Sequence, residues 1–195
     1  MPRIDNDRFY SSAIKSFGIN AKGLNWYSKS SQELRFDMIL ELLPDDLSAY
    51  HIVDAGCGFG DFYLYAKKRK KNFKKYTGIE VHTEVFSIAS NRLDAEIILA
   101  DICKDEIPDA DFYICSGAMN ILDSFETHLF MQKCFSASKY GFVFNVLHGD
   151  IQSKTYNYLS TKKIKSIALD MKVDKVVLKS GYMKNDITVC FYKSI

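Results

Sequence analysis

A strand that breaks into glycines and restarts as a helix is the feature that most limits how this chain can fold. Val53-Asp54-Ala55-Gly56-Cys57-Gly58-Phe59-Gly60-Asp61 follows the apolar run that begins at His51, and a helix is predicted behind it over 61–72. Such a turn lets the backbone approach a ligand where a side chain would stand in the way. The helix N-terminus behind it offers unpaired amides. In an open parallel sheet, this is where ligands bind, outside the carboxyl ends of the strands.

The rest of the chain repeats the alternation. Strands are predicted at 51–54, 76–80, 95–100, 111–116 and 141–146, with a closing pair at 175–179 and 187–192. Helices are expected at 83–92, capped by Thr83, and at 126–136. The segment 150–171 is mixed and reads as mainly helical. An earlier helix starts at a capping box formed by Ser30 and Glu33, carries Leu34, Phe36, Ile39, Leu40 and Leu43 at helical spacing, and stops at Pro44. Before it, 1–30 lacks clean periodicity, and 17–27 reads as a structured loop. Apolar strands alternating with helices imply an α/β fold with a mainly parallel sheet covered on both faces. The final pair adds an antiparallel strand.

At 195 residues the chain is expected to be a single domain, with 1–45 as an N-terminal helical cap and 46–195 as the core. The 47% hydrophobic and 26% charged fractions exclude a disordered chain. A net charge of +2 argues against a dedicated polyanion binder. No apolar run of about 18 residues is present to span a membrane, and the N-terminal residues resemble no secretory signal. The five cysteines show no Cys-x-x-Cys spacing, which points to reduced thiols, no metal site and a cytoplasmic location.

Two acids follow the glycine turn at telling positions. Glu80 ends the second strand, where a carboxylate can accept hydrogen bonds from both hydroxyls of a ribose. Asp101 follows the third strand, placed to reach an adenine amino group, with Val81 and Ile102 flanking the ring. Dinucleotide sites space their glycines Gly-x-Gly-x-x-Gly, whereas this turn runs Asp54-x-Gly56-x-Gly58-x-Gly60. The pattern resembles the first motif of class I S-adenosylmethionine-dependent methyltransferases. That resemblance implies a Rossmann-like, doubly wound, seven-stranded sheet with a reversed seventh strand. It also implies S-adenosylmethionine as cofactor, held by Asp54, Ala55, Gly56, Cys57, Gly58, Glu80, Val81, Asp101, Ile102, Ser116 and Gly117. Closer similarity to an uncharacterised bacterial methyltransferase group extends over Gly23-Leu24-Asn25-Trp26, Gln32-x-x-Arg35-Phe36, Ser116-Gly117-Ala118-Met119-Asn120 and Asn185-Asp186-Ile187-Thr188-Val189.

Other residues carry divided readings. Arg35 can pair with the cofactor's carboxylate or be a solvated helix-face cation. His148, Asn145 and Asn120 are the catalytic candidates, His148 being the best-placed general base by position. Trp26 and Tyr27 are expected to cover the cleft. The segment after Ser116 lacks the Asn/Asp-Pro-Pro-Tyr/Phe motif of nucleic-acid amino-methylating enzymes. The basic run Lys67-Lys68-Arg69-Lys70-Lys71 reads as a solvated helix end rather than a phosphate patch. A small-molecule acceptor is therefore expected, with RNA or a protein as the alternative acceptor. A cofactor-binding protein without catalysis is the alternative from outside enzymology.

Overall fold

The computed structural model describes residues 6–194, and their side chains from residue 10. Residues 1–5, expected at the head of the cap, lie outside the described residues, as does Ile195. The strands are β1 (His51–Ala55), β2 (Lys75–Glu80), β3 (Glu96–Leu99), β4 (Ala110–Ser116), β5 (Ser138–His148), the two-residue β6 (Tyr158–Leu159), β7 (Lys175–Ser180) and β8 (Asp186–Tyr192). They form one sheet in the order β3-β2-β1-β4-β5-β8-β7, with β6 pairing β5 off that path. All pairings are parallel except those of β8 with β5 and with β7. Its seven-strand path, mainly parallel with a reversed strand near the C-terminal edge, is the one expected, and β6 adds an eighth strand.

The strands read as nearly continuous apolar runs because both faces are covered, and alternate residues part to opposite sides. Val53, Tyr113, Cys115, Phe142, Phe144, Val189 and Phe191 face one core with α5 (Ser124–Ala137) and α6 (Thr161–Asp170). Ile52, Phe112, Ile114, Val143 and Cys190 face the other, with α2 (Lys29–Leu40) and α3 (Asp61–Lys68). α4 (Thr83–Arg92) lies against β2 and β3. Strand order reverses between β1 and β4, since the chain runs outward from β1 through β2 to β3 and then returns to β1's other side. That reversal opens a crevice above the strand ends.

Several helix limits differ from expectation, each for a local reason. α1 (Asn6–Phe17) occupies a stretch in which no periodicity was legible, and the expected loop after it holds a 3-10 turn at Ala21–Leu24. α2 is capped two residues before the predicted box. Ser28, not Ser30, has the extended backbone of a cap; its Oγ accepts from the Ser31 N–H at 3.1 Å, and Ser31 Oγ accepts from the Ser28 N–H at 3.2 Å. α4 is capped by His82, whose Nδ1 accepts from the Val85 N–H, rather than by Thr83. α3 ends at Lys68, short of the expected 72. Lys70 turns left-handed at φ 59° and the Lys71 N–H returns to the Ala66 carbonyl at 2.9 Å, closing a Schellman-type end. The mixed segment 150–171 is helical only over α6.

The cap is bonded to the far edge of the core by one buried ion pair. Arg35 on α2 donates through Nε to Asp186 Oδ2 on β8 at 2.7 Å and donates to the same oxygen through Nη2. Tyr182 donates to the other oxygen of Asp186. Removing one member of such a pair leaves an unpaired buried charge, at a cost of about 3–5 kcal/mol. Arg35→Met is therefore expected to lower urea-unfolding stability by about that much, while Arg35→Met combined with Asp186→Leu recovers a large part of it. Additive losses in the double variant would contradict the pairing.

Candidate active site

The crevice is built from the carboxyl ends of four adjacent strands. Neighbouring strands lie about 4.8 Å apart, so Asp101 (after β3), Glu80 (β2), Gly56 (after β1) and Ser116 (β4) form a row roughly 14 Å long, three strand spacings. All four line a single cleft enclosing about 1040 Å³ out to its open mouth.

Glu80 is buried, and its carboxylate is fixed by backbone. Oε2 accepts from the Gly58 N–H at 3.0 Å, and Oε1 accepts from the N–H groups of Val81 at 2.9 Å and His82 at 3.0 Å. Burial raises its pKa, and the three amides oppose that rise without cancelling it. Gly56 and Cys57 both donate to the Ile79 carbonyl, at 2.8 and 3.0 Å. The first three amides of the glycine turn are thus already engaged. Gly56 has φ +80°, and a Cβ there would stand 2.4 Å from the Ala118 Cβ, so only glycine closes this corner. Gly60 meets Leu93 and is a helix-packing position. Asp101 lines the cleft; its Oδ1 accepts from the Cys103 N–H at 2.9 Å and its Oδ2 pairs with Lys104 at 2.9 Å.

Of the expected cofactor residues, Gly56, Gly58, Glu80, Val81, Asp101, Ile102, Ser116 and Gly117 line the cleft, whereas Asp54, Ala55, Cys57 and Arg35 do not. Asp54 lies beneath the turn, where its Oδ2 accepts from the Tyr76 hydroxyl at 2.7 Å. Cys57 packs under the turn against Gly78. Arg35 is buried behind Trp26, with its guanidinium 4.7 Å from the indole centre and committed to Asp186. A buried guanidinium needs such a counter-charge, and Asp186 supplies it in place of a ligand carboxylate.

The catalytic candidates separate in the same way. Only Asn120 reaches the cleft. Its Oδ1 accepts from the Leu147 N–H at 3.0 Å, which turns the amide nitrogen toward Gly117. Asn145 is fully buried; it accepts from Ser116 Oγ at 2.9 Å and its Nδ2 donates to Thr188 Oγ1 at 2.6 Å. His148 lies outside the cleft lining, with Nε2 3.0 Å from Thr161 Oγ1. Trp26 covers the cleft as expected, but Tyr27 is 91% exposed and does not.

Among the lining residues that escaped the sequence reading are Tyr10 on α1 and Tyr156 in the segment before β6. Their only signal was an aromatic side chain in a segment without clear periodicity. Tyr10 meets His82 edge-on at 6.1 Å. Burial and the nearby Glu80 raise its phenol pKa, so it stays neutral. The cap seats directly on the turn, since a Cβ at Gly58 would lie 2.7 Å from Leu24 Cδ1 and one at Gly117 2.8 Å from the Trp26 ring. In the basic run, Arg69 pairs with Asp37 and Lys71 donates to the Asp45 carbonyl. None of the run lines the cleft.

Residues 52–141 match the methyltransferase domain family. Among solved structures the chain is similar to magnesium protoporphyrin IX methyltransferase from Synechocystis PCC 6803 with bound S-adenosylmethionine, at 13% identity over 100% of this chain and 86% of that one, TM-score 0.67. It is also similar to human N-acetylserotonin methyltransferase in complex with S-adenosylmethionine, at 15% identity over 94% and 62%, TM-score 0.66. A third likeness is to an S-adenosylmethionine-dependent methyltransferase from Mesorhizobium loti, at 15% identity over 82% and 98%, TM-score 0.62. At these identities the structural likeness is one of fold. No curated protein matches the chain in sequence at a significant level. Residues 52–141 thus carry a methyltransferase-domain match, set in a sheet with the fold of S-adenosylmethionine-dependent methyltransferases. No helix among the described residues is long and apolar enough to cross a membrane.

Asp54 makes a pH prediction. Burial pushes its pKa up from 3.8 to about 7, against the lowering effect of the Tyr76 hydrogen bond. An acid whose folded pKa is raised binds more protons folded than unfolded, so its contribution to stability falls as pH rises from about 4 to about 7 and then levels off. Relative to Asp54→Asn, which stays neutral, the wild type is expected to lose up to about 1.4 kcal/mol per pH unit in that window. Urea unfolding of both proteins at several pH values checks this; parallel stability curves would contradict it.

Proposed function

We propose that this protein transfers a methyl group from S-adenosylmethionine to a small-molecule acceptor, with the cofactor lying along the strand-end row from Asp101 to Ser116. The observation that carries the reading is that row: two acids at the β3 and β2 ends, a side-chain-free turn at β1, and a cleft closed above by the cap. When bound, the cofactor supplies an activated methyl on a positively charged sulfur. Glu80 takes the two ribose hydroxyls, and Asp101, with Val81 and Ile102, takes the adenine side. Gly56, Gly58 and Gly117 leave room for the methionine portion. Arg35 is spent on Asp186, so neutral donors of the lining hold the amino-acid carboxylate.

The geometry argues against a pyrophosphate at the turn. A pyrophosphate needs free amides at the glycines, and here a carboxylate already occupies the Gly58 amide. For the acceptor, the cap contributes positioning. Asn120 presents an amide donor beside Gly117, and Trp26 and Tyr156 wall the opening. Alignment of nucleophile and methyl supplies much of the rate in such a site. A narrow, aromatic-walled cleft and a basic run that lies elsewhere support a small molecule over RNA.

Calorimetric titration with S-adenosylmethionine and S-adenosylhomocysteine tests the cofactor. Glu80→Gln is expected to weaken both by about 1.5–3 kcal/mol, roughly 10- to 150-fold, as befits a lost charged hydrogen bond. A folded wild type that binds neither would overturn the reading. Labelled methyl supplied with cell extract should appear in the low-molecular-mass fraction; label confined to ribonuclease-sensitive or protein material would overturn the small-molecule assignment.

A further inference from the structure

The acceptor half of the cleft has a charge pattern that selects its ligand. On the cofactor reading above, adenosine takes the β3–β2 end of the row, and the reacting methyl and the acceptor are left the β4 side, where Trp26, Asn120 and Tyr156 complete the lining. The described lining contains the acids Glu80 and Asp101 and no Lys, Arg or His. Two cations stand behind the lining: Lys104 is paired with Asp101 at the β3 end, and Arg35 lies against the Trp26 ring and is paired with Asp186. Aromatic faces attract cations and flat rings and give nothing to an anion. His148, engaged with Thr161, lies outside the lining.

We propose that the acceptor is a flat, aromatic small molecule whose methylated atom is an uncharged amine nitrogen. This rests on the cofactor reading above. An alcohol or phenol must shed a proton before or during attack, and the resulting oxyanion would be formed in a cleft that carries Glu80 and whose described lining holds no cation to receive it. A neutral amine needs no such step. Its nitrogen lone pair forms the new N–C bond while the C–S bond breaks and its electron pair returns to sulfur. Positive charge passes from sulfur to nitrogen, and the ammonium product then releases its proton to water. Throughout, the charge stays positive, in a cleft whose described lining holds Glu80 and no cation to oppose it. Asn120 contributes as a positioning residue, its amide fixed by the Leu147 N–H.

The test uses three ligands on one ring system, naphthylamine, naphthol and naphthoate, the arylamine being uncharged at neutral pH. Each is titrated calorimetrically into the protein saturated with S-adenosylhomocysteine. The amine is expected to bind at least tenfold tighter than the carboxylate at low salt, with the naphthol between them. Tyr156→Ala should weaken the amine several-fold and leave S-adenosylhomocysteine affinity within twofold. Equal or tighter binding of the carboxylate, or no binding by any of the three, would overturn the inference. So would turnover of the naphthol but not the amine. Failure of S-adenosylhomocysteine itself to bind would instead overturn the cofactor reading.

Discussion

The carboxylate of Glu80 connects three elements that must stay in register for the cleft to exist. One oxygen takes the Gly58 amide and so holds the glycine turn against β2; the other takes the Val81 and His82 amides and shapes the start of α4. Burial makes the charge costly, and the charged form is offset only because backbone dipoles supply the compensation that water would have given. The group that shapes the turn is therefore also a group that lines the cleft. Its neighbours in the row inherit their positions from parallel pairing, since β1, β2 and β3 align Asp54 with Gly78 and Gly78 with Ile97.

Much of this core was legible because its determinants are local. A continuous apolar strand, a glycine turn and an acid at the next strand's end each have a short-range cause, and the parallel sheet follows from their repetition. The reversed final strand was equally legible from two apolar runs and a short connection. Helix ends were less so, because competing caps of similar chemistry adjoin one another. Ser28 and Ser30, or His82 and Thr83, are told apart only by backbone angles that tertiary packing sets. Arg35 was misplaced for a related reason. A guanidinium on a helix face does not reveal whether a carboxylate 151 residues away will meet it. Tyr10 and Tyr156 were invisible because they act through long-range seating of irregular segments on the sheet.

The seating itself has a clear physical basis. Leu24 and Trp26 rest on glycines that could not carry a Cβ without displacing them. Trp26 is backed by Arg35, Arg35 by Asp186, and Asp186 by Tyr182, which shares Thr188 with Asn145; Asn145 in turn accepts from Ser116 in the cleft wall. No buried side-chain polar atom among the described residues is left without a partner. Such a network is rigid when complete and costly when broken. It joins the cap, the last strand and the β4 end, the three parts that surround the acceptor space.

Charge then decides what that rigid space can do. Methyl transfer from a sulfonium begins with one positive charge and, with a neutral nucleophile, ends with one. The transition state spreads that charge along the line from sulfur to acceptor. Aromatic faces and a fixed carboxylate lining such a cleft act without reorganising as the charge moves. A cation placed there would oppose the transfer at every stage. Arg35 is held close enough to brace Trp26, yet is neutralised by Asp186 and separated from the cleft by the ring. The same ion pair that fastens the cap to the sheet thus keeps positive charge of the protein's own out of the path of the reacting one.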